Sequence, residues 1–215
     1  MRRVPISVRE THPFFEKNLS DLRMKNSKTP KKILVAVTGA SGMIYLQSFL
    51  RVIQDLDLVV HGICSDAGYK VLGLEKGLEP QDLPAVSVWF DCRDFAAPPA
   101  SGSSGYDAML VLPCSMGTLA AIAAGISANL IQRCADVMLK ERKDLVLVVR
   151  ETPFNRTHLN NMLAAHDAGA IICPPMPGFY LQPATLEEAA DTFSWRLADQ
   201  IGLAIPGRRS WGDGA

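Results

Sequence analysis

The sequence predicts an α/β fold in which a parallel sheet carries helices on both faces, a three-layer α/β/α arrangement. From residue 32 onward, short apolar runs alternate with stretches that have helical spacing of apolar residues. These short runs are rich in β-branched residues and apolar throughout, as in strands buried on both faces of a parallel sheet. Right-handed strand–helix–strand crossovers leave few other ways to fold such an alternation.

The first unit of this pattern is KKILVAVTGASG, residues 31–42, followed by helical spacing over residues 43–53. Residues 33–37 form the strand, and Gly39 and Gly42 allow a tight turn with close backbone approach. A helix that begins after such a turn offers free N–H groups and a positive dipole end to a phosphate. The third glycine of a dinucleotide fingerprint and the Gly-Lys-Ser/Thr of a P-loop are missing. The turn alone therefore fits a phosphate site and an ordinary strand–helix turn equally well.

The remaining elements follow from the same two patterns. Further strands are expected over residues 58–63, 85–90, 108–112, 145–149 and 170–173. Further helices are expected over residues 67–74, 118–124, 129–141, 157–168 and 186–203. Residues 91–105 and the proline-rich 174–183 read as loops, because proline, glycine and serine dominate them.

Composition limits the function classes. The 215 residues carry 22 basic and 22 acidic side chains, so net charge gives no argument for nucleic acid or an acidic membrane. No apolar run approaches the roughly 20 residues that span a bilayer. Five scattered cysteines without CxxC spacing argue against a disulfide framework or a zinc site, and favour the cytoplasm. Residues 1–30 are basic and poorly periodic, which indicates an N-terminal arm preceding a domain over 31–215.

Polar residues follow several of the predicted strands. Because ligands of open α/β sheets bind beyond the carboxyl ends of the strands, these residues are expected to converge at one edge. They are Gly39 to Ser41, Ser65, Ser115 to Thr118, Arg150 and Glu151. Individually, Ser41, Ser115 and Thr118 fit helix caps as well. Together they suit a pocket for phosphate and a polar ring.

Two cations and one carboxylate are further candidates. Arg133 and Lys140 lie seven residues apart and therefore share one helix face, where they could hold a second phosphate near Arg150. Lys140 also reads as a surface lysine at a helix end. Glu151 is either paired with a neighbouring arginine or placed for proton transfer, and spacing does not separate these alternatives.

Several separate motifs resemble the UbiX-type flavin prenyltransferases (the UbiX/PAD family). They occur in the family's order and cover about residues 32–212. The motifs are TGASG at 38–42, ASGS at 100–103, PCSMGTL at 113–119, ADVMLKE at 135–141, RETP at 150–153, HLNNM at 158–162 and PMPGFY at 175–180.

The resemblance implies a Rossmann-like or flavodoxin-like subunit in a homododecamer, with FMN bound at subunit interfaces. It implies transfer of a dimethylallyl group from dimethylallyl phosphate to N5 and C6 of reduced FMN, without a metal. The prenylated flavin would then pass to a UbiD-type decarboxylase. By position, the FMN site comprises Gly39, Ala40, Ser41, Ser65, Ser115, Met116, Gly117, Thr118 and Arg150. The prenyl-phosphate site comprises Arg133, Lys140 and Glu151, with Tyr180 and Arg196 from a neighbouring subunit.

The residue types suit this chemistry. Arginine and lysine stabilise a leaving phosphate, and Ser41 and Glu151 are candidates for moving protons around N5. Phe95 stands where many relatives have tryptophan, and its ring has a weaker cation-binding face for the dimethylallyl group. The sequence leaves open whether the donor is a monophosphate or a diphosphate.

Two alternatives remain at this stage. One is an FMN carrier or accessory subunit of a decarboxylase system, although the cationic residues of the prenyl-phosphate site are all in place. The other is a flavin-dependent cysteine decarboxylase, which uses a histidine soon after the first helix. No histidine lies between His12 and His61.

Overall fold

The computed structural model describes residues 32–210 and residue 212, and within this part of the chain six strands form one parallel sheet. The strands are β1 Lys32–Val37, β2 Val59–Cys64, β3 Val86–Asp91, β4 Ala108–Cys114, β5 Asp144–Val149 and β6 Ile171–Ile172. The α-helices are α1 Met43–Ile53, α2 Asp66–Lys76, α3 Met116–Ala123, α4 Leu130–Lys140, α5 Arg156–Asp167 and α6 Leu186–Gln200.

The strand order is β3-β2-β1-β4-β5-β6, so the chain builds outward from β1 in one direction and then from β4 in the other. With right-handed crossovers this reversal sends the helices to opposite faces. Helices α1, α2 and α6 pack on one face in a cluster that includes Phe49 and Leu72. Helices α3, α4 and α5 pack on the other face with residues such as Leu119 and Met138. The predicted three-layer α/β fold is confirmed.

Strand β1 lies at the centre of the sheet and pairs with both β2 and β4. Its residues from Ile33 to Val37 are almost completely buried, as the uninterrupted apolar run predicts. The order reverses between β1 and β4, and ligands of such sheets bind at this switch point. A ligand is therefore expected at the turns that follow β1 and β4.

The predicted strands and helices are present, with ends displaced by at most three residues. The loop over 91–105 contains two 3₁₀ turns, at Pro98–Ala100 and Gly102–Ser104. This β3–β4 crossover packs along α4 in place of a helix: Arg133 Nε donates to the Ala100 carbonyl at 3.1 Å. The predicted arm, residues 1–30, lies outside the described residues. None of the described helices combines the length and apolar character needed to cross a bilayer.

Candidate functional site

The turns after β1 and β4 face each other at the carboxyl edge of the sheet, and we call the space between them the switch crevice (residues 38–42 and 113–118). Thr38 joins the two turns. Its buried Oγ1 donates to the Pro113 carbonyl at 2.7 Å and accepts from the Ser115 N–H at 2.9 Å. Sequence reasoning did not single out Thr38, although its place directly after a buried strand was a usable signal.

The glycines of the first turn set how closely it approaches α2. A Cβ atom added to Gly39 would lie 2.5 Å from the Ala67 Cβ, far inside van der Waals contact. Gly42 adopts a φ of 114°, in the left-handed region that favours glycine. These two positions explain the spacing of glycines in the sequence and hold the turn against the start of α2.

Serines cap two of the helices that begin at this edge. The Ser65 Oγ accepts from the Gly68 N–H at 3.0 Å, at the start of α2. The Ser115 Oγ accepts from the Thr118 N–H at 3.4 Å and lies 3.1 Å from the Thr118 Oγ1, at the start of α3. Capping and a place in the site are therefore compatible for Ser65 and Ser115. Ser41 is not a cap, because Gly42 occupies that position of α1.

The N-terminus of α1 holds a carboxylate. The N–H groups of Gly42 and Met43 donate to the Glu75 carboxylate at 3.0 and 2.8 Å. Of the two alternatives left open by the sequence, this favours an ordinary strand–helix turn, since a side chain from α2 already satisfies the N–H groups and complements the helix dipole. A ligand phosphate at this edge can still bind at the starts of α2 and α3. Glu75 was missed because it lies over thirty residues away in the sequence.

Glu75 belongs to a small polar group with Ser41 and Arg150. Burial alone would raise the pKa of Glu75, but hydrogen bonds from the Ser41 hydroxyl and from the Met43 and Gly42 N–H groups, together with the Arg150 charge, lower it overall. The Arg150 Cγ lies 3.9 Å from the position of a Cβ on Gly42. An ionised carboxylate, a hydroxyl and a guanidinium therefore meet beside the switch crevice.

Most of the predicted flavin-site residues meet at this edge. The Arg150 N–H donates to the Cys114 carbonyl at 3.2 Å, which fixes the end of β5 beside β4. Gly117 has open space where its Cβ would be, so the start of α3 leaves room for a ligand. Ala40 is buried and Met116 is half-buried in the same two turns. Glu151 follows β5 at this edge, and its exposed carboxylate accepts from the Thr152 N–H at 2.9 Å.

Phe95, Arg133 and Lys140 lie outside the two turns of the switch crevice, Phe95 after β3 and the other two on α4. Phe95 is 49% exposed in the turn after the edge strand β3. Arg133 is half-buried, holds the Ala100 carbonyl and pairs with Asp136 at 2.7 Å. Lys140 is at the C-terminal end of α4 and pairs with Glu141.

Lys140 and Glu151 are at opposite edges of the sheet within one chain. Lys140 lies four residues before β5 and Glu151 two residues after it, and a six-residue strand spans about 20 Å. The sequence interpretation that placed Lys140 near Arg150 therefore does not hold within a single chain. A site that uses both ends of β5 needs more than one copy.

Tyr180 and Arg196 line a separate cavity of about 680 Å³ beside α6. The Gly178 N–H donates to the Thr192 Oγ1 at 2.9 Å, which ties the proline-rich segment to this helix. Arg196 lies 3.6 Å from Asp199. We call this space the α6 cavity; its lining includes Tyr180, Thr192, Trp195, Arg196, Arg208 and Arg209.

Comparison with known proteins identifies the family of this chain. A family model described as Flavoprotein matches residues 21–190. The chain is 48% identical over 183 residues to a flavin prenyltransferase UbiX of Deinococcus radiodurans, covering 85% of this chain and 94% of the relative. It is 41% identical to the mitochondrial flavin prenyltransferase PAD1 of Saccharomyces cerevisiae, covering 81% of this chain and 72% of that protein.

Solved structures give the same result. AnUbiX (PadA1), crystallised with FMN and dimethylallyl pyrophosphate, superposes with a TM-score of 0.79 at 39% identity and covers 84% of this chain and 98% of its own. A dodecameric FMN-dependent UbiX-like decarboxylase from Escherichia coli O157:H7 has a TM-score of 0.80 at 38% identity, with the same coverage. The chain therefore belongs to the flavoprotein family and, within it, to the UbiX-type flavin prenyltransferases.

Proposed function

We propose that this protein is a flavin prenyltransferase that joins the dimethylallyl group of dimethylallyl phosphate to N5 and C6 of reduced FMN. Relatives named for this activity are 40–48% identical over most of the chain. A structural relative holds FMN together with dimethylallyl pyrophosphate. The switch crevice supplies the place for the flavin, because it lies where the strand order reverses.

The residues of the crevice fit FMN. Hydroxyls and N–H groups at the starts of α2 and α3 suit a phosphate, since helix N-termini attract anions. Ser65, Ser115 and Thr118 provide those hydroxyls, and Arg150 adds a positive charge. The open space at Gly117 leaves room for a ligand beside the start of α3. Ala40, Ser41 and Met116 complete the proposed flavin contacts.

Reduced FMN, when bound, supplies the nucleophilic N5 and C6 atoms. In the overall reaction the C1–O bond of the donor breaks and its electron pair leaves on phosphate. N5 bonds to C1 of the five-carbon unit and loses its proton. The carbon–carbon double bond of that unit breaks as its far carbon bonds to C6; its other carbon takes up a proton and C6 loses one, so no oxidant or reductant is consumed. The protein must therefore hold the leaving phosphate, keep out water and move protons at N5 and C6.

The observation that carries the proposal is the polar group of Ser41, Glu75 and Arg150 beside the crevice. Glu75 is the carboxylate of this group, and we assign it as the proton acceptor because it is hydrogen-bonded to the Ser41 hydroxyl. The Ser41 hydroxyl, which it binds, lies in the turn itself and can relay that proton from the flavin. Glu151 is the second carboxylate at this edge, and we assign it to proton transfer on the donor side.

The donor phosphate requires cations that one chain does not bring to the crevice. The proposed cations are Arg133, Lys140 and Arg196, with the Tyr180 hydroxyl beside them, and Lys140 lies about 20 Å from Glu151 along β5. We therefore propose that the site is completed by neighbouring subunits in a homo-oligomer, a dodecamer as in the E. coli relative. Phe95 is proposed as the aromatic wall for the dimethylallyl group.

The product is proposed to serve a UbiD-type decarboxylase, and the cytoplasm is the proposed compartment. All five cysteines lie among the described residues and are free thiols, which suits a reducing compartment. The N-terminal arm is proposed as a separate segment that precedes the domain over residues 31–215.

The test is anaerobic incubation of the purified protein with reduced FMN and dimethylallyl phosphate. Mass spectrometry is expected to find a flavin heavier by one C5H8 unit. Unmodified FMN after long incubation with either the monophosphate or the diphosphate would instead indicate a flavin carrier. Carbon dioxide release from a cysteine-terminated peptide without any prenyl donor would indicate a decarboxylase.

A further inference from the structure

One crossover of the sheet has no helix. Between β3 and β4 the chain is described throughout, and it forms two 3₁₀ turns but no α-helix. The crossovers from β1 to β2, β2 to β3, β4 to β5 and β5 to β6 each contain at least one α-helix. The sheet face that carries α3, α4 and α5 therefore receives no helix from the β3–β4 crossover.

The outer part of this face is incompletely covered. Val59 and His61 on β2, and Val88 and Phe90 on β3, lie on it, because alternate residues of a strand share a face. The His61 ring packs edge-on against Phe90, with 5.4 Å between ring centres. Val59 is 45% exposed and Val88 is 42% exposed. We call these four residues the β2–β3 patch.

The described chain begins beside this patch. Lys32, the first residue of β1, lies opposite Val59 in the sheet, and its Nζ is 4.3 Å from the centre of the Tyr106 ring. The Tyr106 hydroxyl lies 2.6 Å from the His61 Nδ1. Strand β3 is two strand positions from β1, a distance of about 10 Å. Residues 25–31 can span up to about 23 Å, so the segment before them can reach the patch.

That segment has the apolar residues to cover the patch. Residues 1–30 as a whole are poorly periodic, but Phe15, Leu19 and Leu22 recur at i, i+4 and i+7, the spacing of one helix face. Pro13, just before them, is a residue that the first turn of a helix accommodates. The sequence therefore indicates one short apolar stripe within the arm.

The charges of the arm and the domain are complementary. Residues 1–31 hold eight basic and three acidic side chains, and residues 32–215 hold fourteen basic and nineteen acidic side chains. The zero net charge of the chain is thus a balance between a basic arm, at +5, and an acidic domain, at −5. Opposite net charges favour an arm that lies on its domain.

We propose that residues 13–24 pack on the β2–β3 patch of their own chain, in place of the helix that the β3–β4 crossover lacks. Phe15, Leu19 and Leu22 face the patch, which removes apolar surface on both sides from water. The basic side chains of the arm then lie over the acidic domain. This docking is independent of the proposed reaction.

The first experiment links the two surfaces covalently in the full-length protein. Leu19→Cys combined with Val88→Cys is expected to form an intrachain disulfide on mild oxidation, because a docked arm brings the two residues within disulfide distance. Mass spectrometry of the linked peptides and monomer migration without reductant measure it. Leu19→Cys with Leu74→Cys is the matched control, since Leu74 is 86% exposed on α2, on the opposite face of the sheet.

The control pair is expected to remain reduced. A disulfide between two chains would overturn the proposal and assign the patch to a second copy of the protein. Equal linkage in the control pair would overturn it as well, because the arm would then reach both faces without preference. The absence of linkage in both pairs would also overturn it.

A thermal double-mutant cycle tests the same contact without a cross-link. Leu19→Asp and Val88→Asp are each expected to lower the melting temperature by about 3–6 °C. The double variant should fall by less than the sum, since both changes remove one contact. Ser20→Asp adds the same charge away from the apolar stripe and should shift the melting temperature by less than about 1 °C. Additive falls, or no fall for Leu19→Asp, would overturn the proposal.

Discussion

The switch crevice and the α6 cavity differ in how completely one chain builds them. In the crevice, Thr38 joins the turns after β1 and β4, and Gly39 sits where a Cβ would overlap Ala67. In the α6 cavity, exposed arginines line a wide space, and Arg196 is 69% exposed. The first region is a fixed hydrogen-bonded surface, and the second is a charged wall that faces outward.

This difference follows from where each region lies in the fold. The crevice is at the centre of the sheet, where buried strands on both sides fix the backbone. The α6 cavity lies outside the sheet, between the last helix and irregular segments on either side of it. We therefore expect the crevice to be preformed in the single subunit, and prenyl transfer to depend on the assembly.

The largest expected effect is that of Glu75→Gln, which tests whether the switch crevice carries the proton acceptor. If the carboxylate accepts the proton from the flavin, prenyl transfer should slow by about 10²–10⁴-fold, the usual contribution of a general base. FMN affinity should remain similar to wild type, because the amide can still accept hydrogen bonds from the Gly42 and Met43 N–H groups. Single-turnover kinetics and flavin titration measure the two effects.

Asp55→Asn is the control for Glu75→Gln, since Asp55 is an exposed carboxylate in the turn after α1. It should change neither rate nor affinity. A Glu75→Gln protein that transfers the prenyl group at the wild-type rate would remove Glu75 from the mechanism and shift proton transfer to Glu151.

A second prediction tests whether the site is shared between chains. Lys140→Ala should weaken use of the donor more than flavin binding, because Lys140 is assigned to the phosphate. If Lys140 and Glu75 of one site come from different chains, coexpressing the Lys140→Ala and Glu75→Gln proteins should regenerate complete sites. With equal amounts and random assembly, about one quarter of sites would receive both wild-type residues.

Activity of the coexpressed oligomer, purified through a different tag on each variant, measures this effect. Each variant expressed alone supplies the background. If the mixed oligomers are no more active than the average of the two variants expressed alone, Lys140 and Glu75 of one site come from the same chain. That result would contradict the placement of Lys140 at the opposite edge of the sheet.

The fold and the crevice were largely predictable from the sequence, because both depend on local pattern. Uninterrupted β-branched runs gave the strands, and the rule that ligands lie beyond strand ends placed Ser65, Ser115 and Arg150 at one edge. Glu75 could not be found in this way, since its partners are N–H groups in a turn that folding brings to it. The distance from Lys140 to Glu151 was also hidden, because helical spacing says nothing about which edge a helix end reaches.

A third, smaller effect compares a glycine in a crowded turn with a glycine in open space. Gly39→Ala should destabilise the fold by about 1–3 kcal/mol, the usual cost of overpacking, because its Cβ would lie 2.5 Å from that of Ala67. Gly73→Ala, in the exposed middle of α2, has nothing within 4 Å and should stabilise by about 0.5–1 kcal/mol through helix propensity. Denaturant unfolding of both variants measures the difference. Equal stabilities would show that the turn after β1 can shift to accommodate a Cβ at residue 39.

The smallest expected effect is the pH dependence of the Glu75 interaction. The pKa of Glu75 is lowered in the folded protein, chiefly by the Ser41, Met43 and Gly42 hydrogen bonds that outweigh burial. Its stabilising contribution is therefore complete above the ordinary glutamate pKa and is lost as pH falls through the lower folded value. Relative to Glu75→Gln, wild type should be more stable at pH 7 by about 1 kcal/mol, as for a carboxylate at a helix N-terminus.

That advantage should shrink steadily between pH 5 and pH 3, by about 2–4 °C in the difference between the two melting temperatures. Thermal unfolding of both proteins across this range measures it. A difference that stays constant with pH would mean that the Glu75 carboxylate contributes to stability only by packing. The Glu75 charge could then change during the reaction without destabilising the fold, and it would not be one of the interactions that hold the crevice in place.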